Sequence, residues 1–274
     1  MRRQNKRIIF LQILLFWLTK IATAQPQIRL NFADSACLKS EDIATNSTYN
    51  NNIQTVLTKL HSFSSINKFS TASSGVGLDL VSGFYLCRPD LSLSNCRDCI
   101  NATISTLLER CSDKKEAVVW YQECMIRYTN NSILAANGTD PWSYLYSSLN
   151  VSQPEVFPAL VNNTIHRLIS EAVSPKNEAE FPYFEYGEAN FTALGGLYGM
   201  VLCRPDITAE ECEHCLTTAL DKIPTCCGGL SIVTYVFLPN CQVWYDTAPF
   251  LSPEQPLTML SLAPTLAAPT PPSP

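Results

Sequence analysis

Apolar residues recur three and four positions apart in four stretches of this chain. Ile53, Val56, Leu57, Leu60 and Phe63 make one face over 50–65. Ile100, Ile104, Leu107 and Leu108 make a second, opening near Ser94 and ending near Cys111. Leu160, Val161, Ile165, Leu168, Ile169 and Ala172 make a third. Leu216, Ala219, Leu220 and Ile223 make a fourth, opening on the capping box Thr208-x-x-Glu211, with Pro224 and Cys226-Cys227-Gly228-Gly229 as its expected end. That spacing predicts four helices. Between them lie short apolar runs of strand length. Val81 to Leu86 and Leu197 to Leu202 each lead into a cysteine, and Pro89 stops the first. Val118 to Tyr121 with Cys124 to Tyr128, and Ile232 to Phe237 with Gln242 to Tyr245, read as closing strands. The polar lead around Cys37 and the Ser-, Thr- and Asn-rich stretch 64–74 read as loops. So does 136–152, taken as an inter-domain linker.

The order of elements is therefore stated twice, and the residues say so directly. Residues 83–99 and 199–215 share Cys-Arg-Pro-Asp and the frame Cys-x8-Cys-x2-Cys, at Cys87, Cys96, Cys99 and at Cys203, Cys212, Cys215. Such an internal repeat marks two copies of one structural unit.

Composition changes the picture in one respect, which is compartment. Arg2, Arg3, Lys6 and Arg7 precede the apolar run Ile8 to Leu18, and Ala22-Thr23-Ala24 offers small residues for cleavage, so 1–24 reads as a secretion signal. No later stretch has the length and apolarity of a membrane span, and the mature chain is expected to be soluble. Five of the 19 basic residues and none of the 24 acidic ones lie in that leader, leaving 14 against 24, a net of −10. An acidic mature chain argues against nucleic acid and anionic lipid as main partners. All twelve cysteines lie beyond the leader, where an oxidising compartment favours disulfides. Seven sequons, at Asn46, Asn101, Asn130, Asn137, Asn150, Asn162 and Asn190, fit a glycosylated extracellular protein. The tail, 251–274, is proline-rich, lacks cysteine and is expected to be disordered.

Candidate chemistry adds little. Cys96-x2-Cys99 and Cys212-x2-Cys215, with His214 between the second pair, have zinc-ligand spacing. Each pair comes with a further cysteine at fixed distance in an oxidising setting, which favours structural bridges over metal or a reactive dithiol. A regulatory redox role for Cys226-Cys227 stays open. Histidines are only His61, His166 and His214, and no nucleophile elbow or phosphate-binding glycine loop is present. Glu210 and Glu211 read as a helix start rather than an acid–base pair. Trp120, Tyr121, Trp244 and Tyr245 read as core and sheet aromatics. No catalytic residue, metal or cofactor is expected.

Six cysteines in the first half allow fifteen pairings, among which sequence does not choose. The doubled Cys-x8-Cys-x2-Cys, together with the stretch Glu116-Ala-Val-Val-Trp-Tyr-Gln-Glu-Cys-Met-Ile-Arg-Tyr128, resembles the plant ginkbilobin-like domain. That domain occurs in tandem in cysteine-rich repeat secretory proteins, plasmodesmata-located proteins and the ectodomains of cysteine-rich receptor-like kinases. The resemblance implies an α+β fold of two tandem disulfide-bonded domains, 26–135 and 153–250, each with two helices on an antiparallel sheet of about five strands. It implies the bridges Cys37–Cys111, Cys87–Cys96, Cys99–Cys124, Cys203–Cys212 and Cys215–Cys241. No cysteine recurs where Cys37 would. Cys226 and Cys227 then either bridge each other or compete for Cys241.

The resemblance also implies function: non-catalytic binding outside the cell in stress or defence signalling, with extracellular proteins or homologous ectodomains as partners. A kinase activity would need a downstream domain, which would place the protein at the plasma membrane. The alternative is an antifungal, mannose-binding lectin. The lectin's Asn, Arg and Glu positions hold Leu38, Val118 and Thr129 in the first copy. In the second, Tyr235 replaces the Arg and only Asp246 keeps a carboxylate, so Asp246 is the one candidate ligand residue and mannose is disfavoured.

Overall fold

The computed structural model describes residues 28–38, 44, 47–131, 138–175, 180–192 and 195–251. The expected leader 1–24, the tail from 252 and the sequons at Asn46 and Asn137 lie outside them. The first repeat runs β1 (Phe32–Leu38), α1 (Thr48–Phe63), β2 (Phe69–Ser74), β3 (Val81–Cys87), α2 (Leu93–Cys111), β4 (Glu116–Tyr121) and β5 (Cys124–Thr129). The second runs β6 (Ser143–Tyr146), α3 (Phe157–Val173), β7 (Phe184–Thr192), β8 (Gly195–Cys203), α4 (Ala209–Cys227), β9 (Val233–Phe237) and β10 (Cys241–Asp246). Each forms a five-stranded antiparallel sheet, ordered β1-β4-β5-β3-β2 and β6-β9-β10-β8-β7.

Four strands arise from stretches that read as loop or linker or carried no assignment. β1 and β2 are polar edge strands with alternating exposure. A strand needs only one buried face and one paired neighbour, so few apolar residues suffice. β6 lies inside 136–152 and corrects its reading as a linker: Tyr144 pairs with Val236 and Leu145 with Tyr235. β7 pairs along β8 from Phe184↔Leu202 to Thr192↔Gly195. The second helix of the second repeat ends within the stretch expected to close it, though not at Pro224 itself. α4 continues through it to Cys227, and Gly228, at φ 68°, is the cap. In a last turn proline removes one backbone bond without a long helix beyond it to disrupt, and left-handed glycine terminates the turn.

Helices cover one face of each sheet. Ile53, Val56, Leu57 and Leu60 of α1 and Ile100 and Leu107 of α2 pack with Tyr85, Val119, Ile126 and Tyr128. Ile165, Leu168 and Ile169 of α3 and Leu216, Ala219 and Ile223 of α4 pack with Val201, Val236, Val243 and Tyr245. The opposite faces meet each other. Phe84, Leu86, Val118, Trp120 and Met125 of the first sheet share one core with Met200, Leu202, Tyr235, Phe237 and Trp244 of the second. The result is helix–sheet–sheet–helix, with central strands buried on both faces. That explains why β3, β4, β5, β8, β9 and β10 read as nearly continuous apolar runs.

The glycine that opens each copy of the repeated stretch has a packing role. A Cβ on Gly83 would lie 2.9 Å from Val56 Cγ1 and 3.0 Å from the Arg127 carbonyl, and one on Gly199 2.8 Å from Leu168 Cδ1. Glycine lets α1 and α3 approach their sheets. Gly83→Ala and Gly199→Ala should each cost about 1–3 kcal/mol by overpacking, read as a shift in the urea midpoint with unchanged slope. A neutral result at both positions would show that the helices can move outward freely.

Candidate functional site at the junction of the two repeats

The shared Cys-Arg-Pro-Asp sequence places an Arg–Asp pair at the end of the strand before each helix. Arg88 donates from Nε to Asp90 Oδ1 at 2.6 Å and from a terminal nitrogen to Oδ2 at 2.9 Å. Arg204 repeats the fork on Asp206 at 2.8 and 2.7 Å. The two-residue spacing across proline lets a planar guanidinium meet both carboxylate oxygens of its own turn. Each guanidinium then lies over a ring of the other repeat: Arg88 is 5.6 Å from the Trp244 centroid and Arg204 4.1 Å from that of Phe84. Arg204 also donates to Asn240 Oδ1 at 3.1 Å. Arg204 and Asp90 are fully buried. The repeated motif thus works as a pair of reciprocal cation–π clamps.

Beside this junction the second repeat gathers aromatic rings around a carboxylate. Tyr235 stacks on Trp244 at 4.4 Å and donates to Asp246 Oδ2 at 3.0 Å. Asp246 Oδ1 accepts the Ala248 amide at 2.9 Å. Phe250 folds back against Tyr186, Tyr235 and Trp244, and Tyr186 stacks on Tyr198. Burial pushes the Asp246 carboxyl above its ordinary range, against the lowering effect of the bonds from Ala248, Tyr235 and Thr247. Burial and, next, Asp246 push the Tyr235 hydroxyl up, so it stays a donor at physiological pH. Tyr186 also senses Asp90 and Tyr235 senses Arg88, both across the junction. A half-buried carboxylate among ring faces can accept hydrogen bonds. Among the described residues its hydrogen-bond partners are the Tyr235 hydroxyl and backbone amides.

Of the positions carried over from the lectin, Val118 and Tyr235 lie in the core shared by the two sheets. Val118 and Thr129 are fully buried, Tyr235 is 7% exposed and Leu38 is partly buried. Asp246, at the end of β10, keeps partial access, as Leu38 does. The cysteines are joined as Cys37–Cys111, Cys87–Cys96, Cys99–Cys124, Cys203–Cys212, Cys215–Cys241 and Cys226–Cys227. Five of these connect a strand to a helix and the last connects neighbours. Among the described residues no group of His, Cys, Asp and Glu has metal-site geometry. His61, His166 and His214 stand on three separate helices. Asn101, Asn150, Asn162 and Asn190 are exposed and Asn130 partly so. Sequence reasoning missed the role of Arg88 and Arg204, although the identical Arg-Pro-Asp in both copies was its signal. Tyr186, Tyr198 and Phe250 gave none, because only tertiary packing unites them.

Removing a clamp should be costly. Arg88→Ala and Arg204→Ala each withdraw a fully or nearly buried charge from its carboxylate and should lose about 3–5 kcal/mol. Breaking the half-exposed α3 pair Arg167–Glu171 with Glu171→Gln should cost about 0.5 kcal/mol. Urea unfolding separates these outcomes, and equal losses would refute the clamp. Asp246 carries a pH signature. Its raised value means the folded state holds that proton more tightly than the unfolded chain does. The resulting stabilisation is complete in acid and is lost as pH rises through the raised value. Asp246→Asn should therefore gain stability relative to the parent on going from acid to neutral pH. Parallel pH–stability curves would contradict this.

Residues 36–131 and 146–248 each match the family described as salt stress response/antifungal. The chain is 33% identical over 242 residues to cysteine-rich receptor-like protein kinase 25 of Arabidopsis thaliana, covering 87% of this chain and 35% of the kinase. It is 32% identical over 223 residues to cysteine-rich repeat secretory protein 9 of the same plant, covering 80% of this chain and 67% of that protein. Cysteine-rich repeat secretory protein 1 is 33% identical over 253 residues, with 91% and 70% covered. The chain thus spans about a third of the kinase's length and about two thirds of the secretory relatives'. In fold it matches the crystal structure of the tandem DUF26 ectodomain of the Arabidopsis cysteine-rich receptor-like protein PDLP8, with a TM-score of 0.65 at 22% identity, over 80% of this chain and 99% of that one. The two repeats and their sheets agree with these matches: the chain belongs to the salt stress response/antifungal family and carries its domain twice.

Proposed function

We propose that this chain is a secreted or cell-surface, non-catalytic binding module of plant extracellular stress and defence signalling, acting as a receptor ectodomain does. One observation carries the reading. Both the secretory relatives and the receptor-like kinase align with most of this chain while having different overall lengths. What they share with it is the tandem disulfide-bonded unit, so the common task belongs to that unit rather than to a kinase. Its acidic surface and exposed sequons suit an extracellular setting, with glycans on Asn101, Asn150, Asn162 and Asn190. The two inner sheet faces are occupied by each other. Recognition therefore falls to outer helices, strand edges and loops, which suits protein partners, including homologous ectodomains. The antifungal, carbohydrate-binding alternative retains Asp246, but Val118 and Tyr235 lie in the core between the sheets.

The test uses the whole chain, tagged and expressed with its own leader in leaf tissue. The expected result is recovery from the apoplastic wash, with N-glycans. The recovered protein should bind protoplast membranes saturably, in a manner abolished by protease treatment of the membranes and indifferent to free mannan. Retention inside the cell would sink the extracellular reading. Competition by mannan, or binding on a glycan array, would transfer support to the carbohydrate reading.

A further inference from the structure

Five of the six disulfides hold elements together, and the sixth holds only itself. α2 and α4 align through Cys96 with Cys212 and Cys99 with Cys215, which sets Cys227 in the place of Cys111. In the first repeat Cys111 is bonded to Cys37, which pairs with Ala117 on β4. Counting back equally from Cys124 and Cys241 puts Thr234 of β9 in the place of Ala117. The residue paired with Thr234 is Tyr146. A tyrosine therefore stands where the partner of Cys227 would be, and Cys227 is bonded to its neighbour Cys226 instead.

This difference separates the bridges energetically. The other five join residues 9 to 74 positions apart. Opening any of them returns loop entropy to the unfolded chain and weakens the fold, so folding protects them from reduction. Cys226–Cys227 closes no loop between elements. Opening it unties no strand from its helix, and the folded state gives it no such protection. Access also favours it. Cys226 is partly exposed, whereas at least one cysteine of every other bridge is at most 1% exposed. Cys37 is exposed too, but its bridge ties β1 to α2. Gly228 and Gly229 follow at φ 68° and 67° with open space around both, so the turn has room to adjust.

We propose that Cys226–Cys227 is a reversible thiol-exchange site, a dithiol–disulfide couple that cycles in the folded protein. Its co-reactant is a thiol or dithiol reductant. The reductant's thiolate attacks one sulfur, and the other cysteine leaves as a thiolate that takes up a proton. A second reductant thiol then displaces the first cysteine from the mixed disulfide. The balance is one protein disulfide reduced to two thiols and two reductant thiols oxidised to one disulfide. The site needs neither metal nor cofactor, and it is independent of whichever partner the module binds.

The experiment treats the folded, glycosylated mature chain with graded dithiothreitol without denaturant, alkylates it with iodoacetamide and maps labelled peptides by mass spectrometry. Expected is at least tenfold labelling of Cys226 and Cys227 over the other ten cysteines, before far-ultraviolet circular dichroism or tryptophan fluorescence changes. Removing the reductant should restore the bridge. Earlier labelling of Cys37, or labelling of Cys226 and Cys227 only together with unfolding, overturns the proposal. The double variant Cys226→Ser/Cys227→Ser checks the premise separately. It should keep the parent's melting temperature within a few degrees, while a collapse in stability would show the bridge to be structural.

Discussion

The structure depends on burying two sheet faces against each other. Each sheet already uses one face to hold two helices. Leaving the other face in water would expose Trp120, Trp244, Phe84 and Phe237 together, a patch far larger than ordinary surfaces carry. Stacking the two sheets removes it. The reciprocal placement of Arg204 over Phe84 and Arg88 over Trp244 adds direction to an otherwise non-directional contact. Each guanidinium is neutralised by the Asp of its own turn, so burying it does not leave an unpaired charge. The repeated Cys-Arg-Pro-Asp is thus both a local turn and a device for joining copies.

Joining the repeats has a consequence for access. The sheet faces that carry Val118 and Tyr235 become interior. Asp246 escapes because it stands at the end of β10, where the junction gives way to solvent. The tandem arrangement leaves the outer helices, strand edges and loops as the accessible surface.

The repeats are equal in topology and unequal in their staples. Cys37–Cys111 fastens an edge strand to the end of a helix in the first. In the second, Tyr146 leaves β6 held by its pairing with β9 and by the contact of Ser143 with Asp34 across the repeats. With tyrosine at 146 Cys227 bonds its neighbour instead, and the topology is the same because sheet pairing and apolar packing still position β6.

Much of this was legible in the chain. Helical spacing located α1 to α4, and apolar runs located the six strands buried on both faces, because burial on two sides demands apolar residues throughout. The doubled cysteine frame revealed the two units. β1, β2, β6 and β7 did not show themselves, since an edge strand with one wet face keeps a polar composition and is defined by the neighbour it pairs with. The end of α4 was legible as a stretch, and within it the cap, Gly228, rather than the breaker, Pro224, sets the last residue. The role of Arg88 and Arg204 could not be read from either copy alone. Sequence determines what each turn can pair with locally, whereas a ring contributed by the other repeat reaches a guanidinium only after both sheets have folded and met.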